Sequence, residues 1–101
     1  MTVEGACRVD VWLWRARFAR TRALAARMVE AGAVRLTHAG VQTRLDKPSR
    51  SVHVGDVLLF ALSGRLREVT VVALGARRGP PEAARALYRT IGSQDGDVAS
   101  G

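Results

Sequence analysis

The chain has 101 residues, of which 48% are apolar, and it carries a net charge of +7. A chain of this length forms one small domain with a thin hydrophobic core and leaves no room for a second folded unit. No apolar run approaches the roughly 20 residues that cross a membrane, the start lacks the pattern of a signal peptide, and the single Cys7 fits a reducing compartment. We therefore expect a cytoplasmic protein without a membrane partner.

Two helices are predicted near the start of the chain. Asp10 can cap the first helix, residues 10–18, because a carboxylate accepts free backbone N–H groups. Thr21 is a good N-cap for the second helix, residues 21–31, and Gly32 ends it because glycine adopts the left-handed backbone conformation at low cost. The side chains of this second helix that are predicted to face the core are Leu24, Ala25, Met28 and Val29.

After the second helix the apolar period changes to two, which is typical of strands. The predicted elements are a strand at 33–36, a turn-rich connection at 37–50, two strands around a turn at Gly55 and Asp56 within 51–62, a strand after a hairpin at Ser63 and Gly64, and a last helix at 81–91. We expect residues 1–7 to be an N-terminal extension and residues 92–101 to be a disordered tail.

Positive charge is concentrated in one fifth of the chain. Residues 8–27 contain six arginines and one acidic residue, and so carry a net +5. These arginines are Arg8, Arg15, Arg17, Arg20, Arg22 and Arg27. Charge concentrated in this way attracts polyanions, and two short helices can hold such side chains rigidly against closely spaced phosphates. A solvated arginine-rich surface is the alternative interpretation.

Several short motifs together resemble one known domain. They are Arg8-Val9-Asp10, Thr21-Arg22, Ala25, Gly32 with Val34, Lys47-Pro48-Ser49, and Gly55-Asp56. In this order they resemble the RNA-binding domain first described in small-subunit ribosomal protein four. More narrowly, the stretches VWLWRARFARTR and RRGPPEAARALY are similar to the heat-shock protein 15 family, whose members are stand-alone, ribosome-associated versions of the domain.

The resemblance implies an α+β fold at residues 8–91, with two N-terminal helices packed on a small, twisted, mostly antiparallel sheet and a C-terminal helix. It also implies a non-catalytic protein that binds ribosomal RNA of the large (50S) subunit and helps to recycle or rescue subunits that stalled with peptidyl-tRNA attached, after heat stress. We expect a monomer without a cofactor. The expected RNA-binding residues are Arg8, Arg15, Arg17, Arg20, Arg22, Arg27, Lys47 and Arg50.

The sequence departs from the family pattern in three places. Val11 stands where the family usually has lysine, which removes one phosphate ligand. The usual Asn-Gly turn is replaced by THAG at residues 37–40, and about four extra residues precede Lys47, so the geometry of this loop is expected to differ. The long basic C-terminal extension of many members does not follow the matched region, from which we expect a lower affinity or a smaller footprint on RNA.

Some residues of the basic segments admit two interpretations. Arg22 can contact RNA directly, or it can pair with Asp10 and fix the helix junction. Lys47 and Arg50 can supply a second phosphate contact, or they can lie in a solvated turn. The two arginines at 77–78 can extend the basic surface.

The two tryptophans lie two residues apart and therefore point to different sides of a helix. Trp12 is expected in the core. Trp14 can stack on a base, but the preferred interpretation is that it packs beneath the last helix against Leu87 or Tyr88.

The sequence contains no pattern that favours a metal site or a catalytic site. His38, His53 and Cys7 do not follow zinc-ligand spacing, no glycine-rich phosphate loop is present, and the acidic residues are too scattered to pair for acid–base chemistry. Two alternatives to ribosomal RNA binding stay open. One is a detached targeting domain of a pseudouridine synthase or rRNA methyltransferase; the other is a nonspecific binder of nucleic acid, including DNA, or of anionic membrane.

Overall fold

The computed structural model describes residues 5–91 of the chain. Its helices are α1 (Val9–Arg15), α2 (Arg22–Glu30) and α3 (Pro81–Arg85), and its strands are β1 (Ala6–Arg8), β2 (Val34–His38), β3 (Val41–Arg44), β4 (Ser51–His53), β5 (Val57–Leu62), β6 (Arg65–Val71) and β7 (Tyr88–Thr90). One antiparallel sheet has the order β3-β2-β5-β6-β7, and β1 pairs with β4 in a second, two-stranded sheet. The predicted α+β fold is confirmed.

Helix α2 begins and ends where the sequence predicts. The hydroxyl of Thr21 accepts a hydrogen bond from the Leu24 backbone N–H at 3.0 Å and so caps the first turn. Gly32 follows the helix with φ +76°, a conformation that glycine adopts without strain. Ala25 and Val29 are buried as expected, whereas Leu24 is 41% exposed, so its predicted place in the core is wrong.

Helix α1 is shorter than predicted because the chain turns after Ala16. The Phe18 N–H donates to the Leu13 carbonyl at 2.9 Å, and the Arg17 N–H donates to the Trp14 carbonyl at 3.1 Å. These two bonds form a Schellman motif, in which the residue at Arg17 takes a left-handed conformation, here φ +65°. The turn carries Phe18 into the core, where it is 6% exposed.

The core lies between the two N-terminal helices and one face of the larger sheet. Trp12 is fully buried as predicted, and its indole N–H donates to the Ala73 carbonyl at 2.9 Å. Phe18 connects the helices to the sheet, with ring centroids 4.9 Å from Phe60 and 4.6 Å from Tyr88. This packing fixes the junction between α1 and α2.

Two elements differ from the prediction because strand pairing decides them. Residues 41–44, predicted within a turn-rich connection, form β3 against β2 although every side chain of β3 is exposed. The last helix was predicted to reach residue 91, but α3 ends at Arg85 and residues 88–90 pair with β6 as β7. A partner strand thus overrides local helix propensity at this position.

The folded part also begins earlier than the predicted boundary at residue 8. Ala6 and Cys7, assigned to an N-terminal extension, lie in β1 and pair with His53 and Val52 of β4. The remainder of that extension up to residue 4, and the tail predicted at 92–101, lie outside the described residues. Among residues 5–91, no helix has the length and apolar character needed to cross a membrane.

Candidate nucleic-acid interface

The first backbone N–H groups of α1 form hydrogen bonds with a neighbouring loop. The backbone N–H groups of Val9 and Asp10 donate to the carbonyls of Arg50 at 2.8 Å and Pro48 at 3.3 Å. Asp10 was expected to cap the helix, but it lies in the first turn, and the N-cap residue, Arg8, makes no side-chain cap bond. These bonds attach the loop containing Lys47 to the helix and leave few free N–H groups for an anion.

Asp10 forms its ion pair with Arg8 and not with Arg22, the partner considered in the sequence analysis. The Nε and Nη2 atoms of Arg8 donate to the two carboxylate oxygens of Asp10 at 3.0 and 2.9 Å. The Asp10 side chain is buried, whereas that of Arg8 is 51% exposed. The hydrogen bond to Asp10, followed by the attraction between the two charges, raises the pKa of Arg8 above its ordinary value. The positive charge of Arg8 is therefore partly neutralised within the fold.

Arg15 and Arg17 are engaged by main-chain carbonyls. The Nη1 atom of Arg15 donates to the Gly75 carbonyl at 2.8 Å, with a longer contact of 3.4 Å to the Leu74 carbonyl. The Nε atom of Arg17 donates to the Gly79 carbonyl at 2.8 Å. Both arginines thus tie the helix junction to residues 74–79, and because a carbonyl is uncharged, neither guanidinium is neutralised by these bonds.

Arg78 adds a further bond between residues 74–79 and α1, with its side chain as the donor. Its Nε atom donates to the Trp14 carbonyl at 3.1 Å, and its guanidinium lies 5.9 Å from the centroid of the Trp14 ring. Among residues 5–91, the aromatic contact with Tyr88 that was expected for Trp14 is made by Phe18. Arg78 therefore adds a cation beside Trp14, close to the carbonyl-bound arginines.

Arg20, Arg22 and Arg27 are exposed and differ from the preceding arginines. Within the described part of the chain, their side chains make no ion pair and no hydrogen bond. Arg22 occupies the first turn of α2, which contains no acidic residue, although the helix dipole favours negative charge there. An incoming phosphate would supply that negative charge.

The arginines of α2 do not share one side of the helix. Arg22 and Arg27 are five residues apart, which places them about 140° apart around the axis. Arg20 precedes the helix. The basic surface therefore wraps around α2 from its N-terminal end to its solvent-facing side.

Two further arginines were missed by the sequence analysis. Arg35 and Arg44 are exposed and lie directly opposite each other on β2 and β3. The Arg44 side chain also lies over Gly32, at the end of α2. Like charges placed opposite each other on a strand pair repel, so these two side chains concentrate positive charge beside the end of α2. The sequence analysis missed this pair because it did not predict strand β3, whose residues are mostly polar.

Cys7 and the two histidines are placed differently. Burial raises the pKa of the Cys7 thiol, against a smaller opposing effect of Arg15, and a raised pKa disfavours the reactive thiolate. His38 and His53, which showed no metal spacing in the sequence, meet at the buried carboxylate of Asp56. This group is the one place within residues 5–91 where three such side chains come together as metal ligands could.

Comparison with known proteins places these features in a family. The model of the S4 domain matches residues 7–36, which include α1, α2 and all six arginines of the first basic segment. The heat shock protein 15 homolog of Haemophilus influenzae is 38% identical over 87 residues, and heat shock protein 15 of Escherichia coli K12 is 41% identical over 81 residues. These alignments cover 85% and 80% of this chain but only 62% and 57% of the two relatives.

A solved structure extends the similarity over nearly the whole chain. The heat shock protein 15 of Vibrio cholerae, described as trimeric, superposes with a TM-score of 0.81 and 32% sequence identity. The match covers 95% of this chain and 93% of that one.

Proposed function

This chain belongs to the heat shock protein 15 family, and from that premise we propose that it is a non-catalytic RNA-binding protein of the cytoplasm that associates with the large ribosomal subunit. The observation that carries the proposal is the set of exposed arginines around α2 without acidic partners in the described residues. It lies in the segment that matches the S4 domain. The chain spans about three fifths of the length of the curated relatives it matches.

The charges are suited to a folded RNA backbone. Arg20 and Arg22 lie at the start of α2, and Arg35 and Arg44 lie beyond its end, so a strand of RNA that follows the helix meets cations along its length. Arginine can grip a phosphate with two parallel hydrogen bonds. If about four phosphates are neutralised, the logarithm of the binding constant should fall with the logarithm of the salt concentration at a slope near −3.

Lys47 and Arg50 extend this surface on the α1 side. Both are exposed, and the backbone bonds from Val9 and Asp10 hold their loop against the start of α1, next to Arg8. This arrangement favours a second phosphate contact over a freely solvated turn. Arg8, Arg15 and Arg17 then have two roles, because each holds a neighbouring segment and also contributes charge.

Binding to ribosomal subunits tests the proposal directly. We expect the purified chain to sediment with 50S particles at physiological salt, more strongly when peptidyl-tRNA is attached, and to prefer these particles to an excess of bulk duplex DNA. Equal competition by DNA would indicate a nonspecific polyanion binder. RNA-modifying activity in the purified chain would contradict the non-catalytic assignment.

Analytical ultracentrifugation of the purified chain alone reports the assembly of the free protein. We expect the mass of one chain. The Vibrio cholerae relative is described as trimeric. A measured mass of three chains would contradict the expected monomer.

A further inference from the structure

Two histidines and one aspartate converge at the end of β2, away from the arginines of α2. His38 is the last residue of β2, His53 is the last residue of β4, and Asp56 lies in the turn before β5. Their ligand atoms all lie within 4.8 Å of one another. The fold thus assembles three residues that are up to 18 positions apart in the sequence.

The carboxylate of Asp56 is fixed by its own turn. Its side chain is 4% exposed, and its Oδ2 atom accepts the His53 backbone N–H at 2.9 Å. The other oxygen, Oδ1, lies 2.6 Å from Nδ1 of His38. A buried carboxylate held in this way presents negative charge toward both imidazole rings.

His53 shows that the hydrogen bonds of this group are incomplete. Its Nδ1 atom is buried, has no hydrogen-bond partner among residues 5–91, and lies 3.6 Å from Oδ2 of Asp56. That distance is too long for a hydrogen bond. A buried nitrogen that faces a carboxylate without a bond leaves an energetic deficit that a bound cation would remove.

From this geometry we propose that His38, His53 and Asp56 form a binding site for a transition-metal dication such as Zn²⁺. In a tetrahedral zinc site, neighbouring ligand atoms are separated by about 3.3 Å. The observed distances are 2.6 Å from His38 Nδ1 to Oδ1 and 3.6 Å from His53 Nδ1 to Oδ2 of Asp56, to different oxygens of the carboxylate, and the three ligand atoms lie within 4.8 Å of one another, so the side chains would have to draw together around the ion. The histidine side chains are 55% and 44% exposed, so small rotations of the rings can equalise the distances.

The ligand set indicates which cations fit. Two imidazole nitrogens and one carboxylate oxygen suit zinc and its neighbours in the first transition row better than Mg²⁺ or Ca²⁺, and water would fill the fourth position. The metal would replace the proton between His38 and Asp56. Arg50 lines the same cleft, and its positive charge should keep the affinity below that of a four-ligand structural site.

The site would join parts of the chain that are otherwise separate in the sequence. His38 stands at the turn of the hairpin of β2 and β3, whereas His53 and Asp56 flank the turn between β4 and β5. A metal would therefore cross-link the hairpin to the second half of the domain and raise its melting temperature. This inference does not depend on RNA binding.

Titration of ZnCl₂ into the tag-free full chain, followed by calorimetry, tests the site. We expect saturable binding of one ion per chain, and at least about tenfold weaker binding for His38→Gln and for His53→Gln. The matched control is Cys7→Ser, which removes the single thiol and should bind zinc as the original chain does. Binding that survives in the double variant His38→Gln/His53→Gln, or that is lost in Cys7→Ser, would overturn the proposal.

A second measurement on the unmodified chain does not depend on how the variants fold. The sequence contains two histidines, so their ring signals are readily assigned in an NMR spectrum. One equivalent of Zn²⁺ should shift or broaden both sets of signals together. Signals of both rings that stay in place would reject the site.

Discussion

Arg15 and Arg17 differ from Arg20 and Arg22 in what their guanidinium groups contact, although all four lie within eight residues. The first two donate to carbonyls of residues 74–79, whereas the second two find no partner among residues 5–91. The first pair therefore holds the helix junction in place, and the second pair is available to an external anion. A high local density of arginine thus combines residues that stabilise the fold with residues that bind.

The double variant Arg20→Ala/Arg22→Ala is expected to show the largest difference between the two pairs, as a loss of RNA binding. Each charge-assisted hydrogen bond contributes about 1.5 kcal/mol, so the loss of two should weaken binding roughly 100-fold. The salt slope should become shallower by about 1.4, since each lost phosphate contact removes about 0.7. Filter binding over a range of salt concentrations measures both quantities.

The matched control for this double variant is Arg85→Ala/Arg89→Ala. It removes the same charge from exposed positions on α3 and β7, outside the S4-matched segment. We expect a much smaller change in affinity. If both double variants weaken binding equally, net charge alone attracts RNA and the comparison fails.

A smaller effect, on folding rather than on binding, is expected for Arg15→Ala. The change leaves the carbonyls of Leu74 and Gly75 without their donor and removes a side chain that packs near Gly75. The free energy of unfolding should fall by about 2 kcal/mol. Urea denaturation followed by circular dichroism measures it. Unchanged stability together with much weaker RNA binding would place Arg15 with the binding pair.

The smallest effect is expected for Arg17→Gly. Glycine relieves the left-handed conformation at φ +65°, while the bond to the Gly79 carbonyl is lost. Because these changes oppose each other, the free energy of unfolding should move by no more than about 1 kcal/mol. Thermal melts provide the measurement. A loss of several kcal/mol would show that the guanidinium itself holds the turn.

Much of the fold was predictable where local chemistry decides it. Helix α2 is bounded by Thr21, whose hydroxyl caps the first turn, and by Gly32, whose lack of a side chain permits the left-handed conformation. The hairpin at Ser63 and Gly64 is also local. In contrast, neither β3 nor β7 shows the alternation of apolar and polar residues that marks a half-buried strand. The strand β3 follows β2 through a short turn, whereas β7 depends on its pairing with the distant β6.

The candidate site was predictable only as a concentration of charge. The sequence shows the six arginines, but the carbonyls that engage Arg15 and Arg17 come from about 60 residues later in the chain. The partner of Asp10 was predicted wrongly as Arg22, whereas the structure pairs Asp10 with Arg8. The meeting of His38 with Asp56 needed the fold, because their spacing in the sequence matches no ligand motif.

The bonds from Val9 and Asp10 to the carbonyls of Arg50 and Pro48 have a consequence for evolution of the hairpin. They anchor the end of the 45–50 loop to the rigid start of α1 rather than to the tip of the hairpin. Insertions or deletions around Gly40 can therefore lengthen or shorten the hairpin without moving the basic end of the loop. A change in the length of the hairpin would leave the spacing between this loop and α1 unchanged.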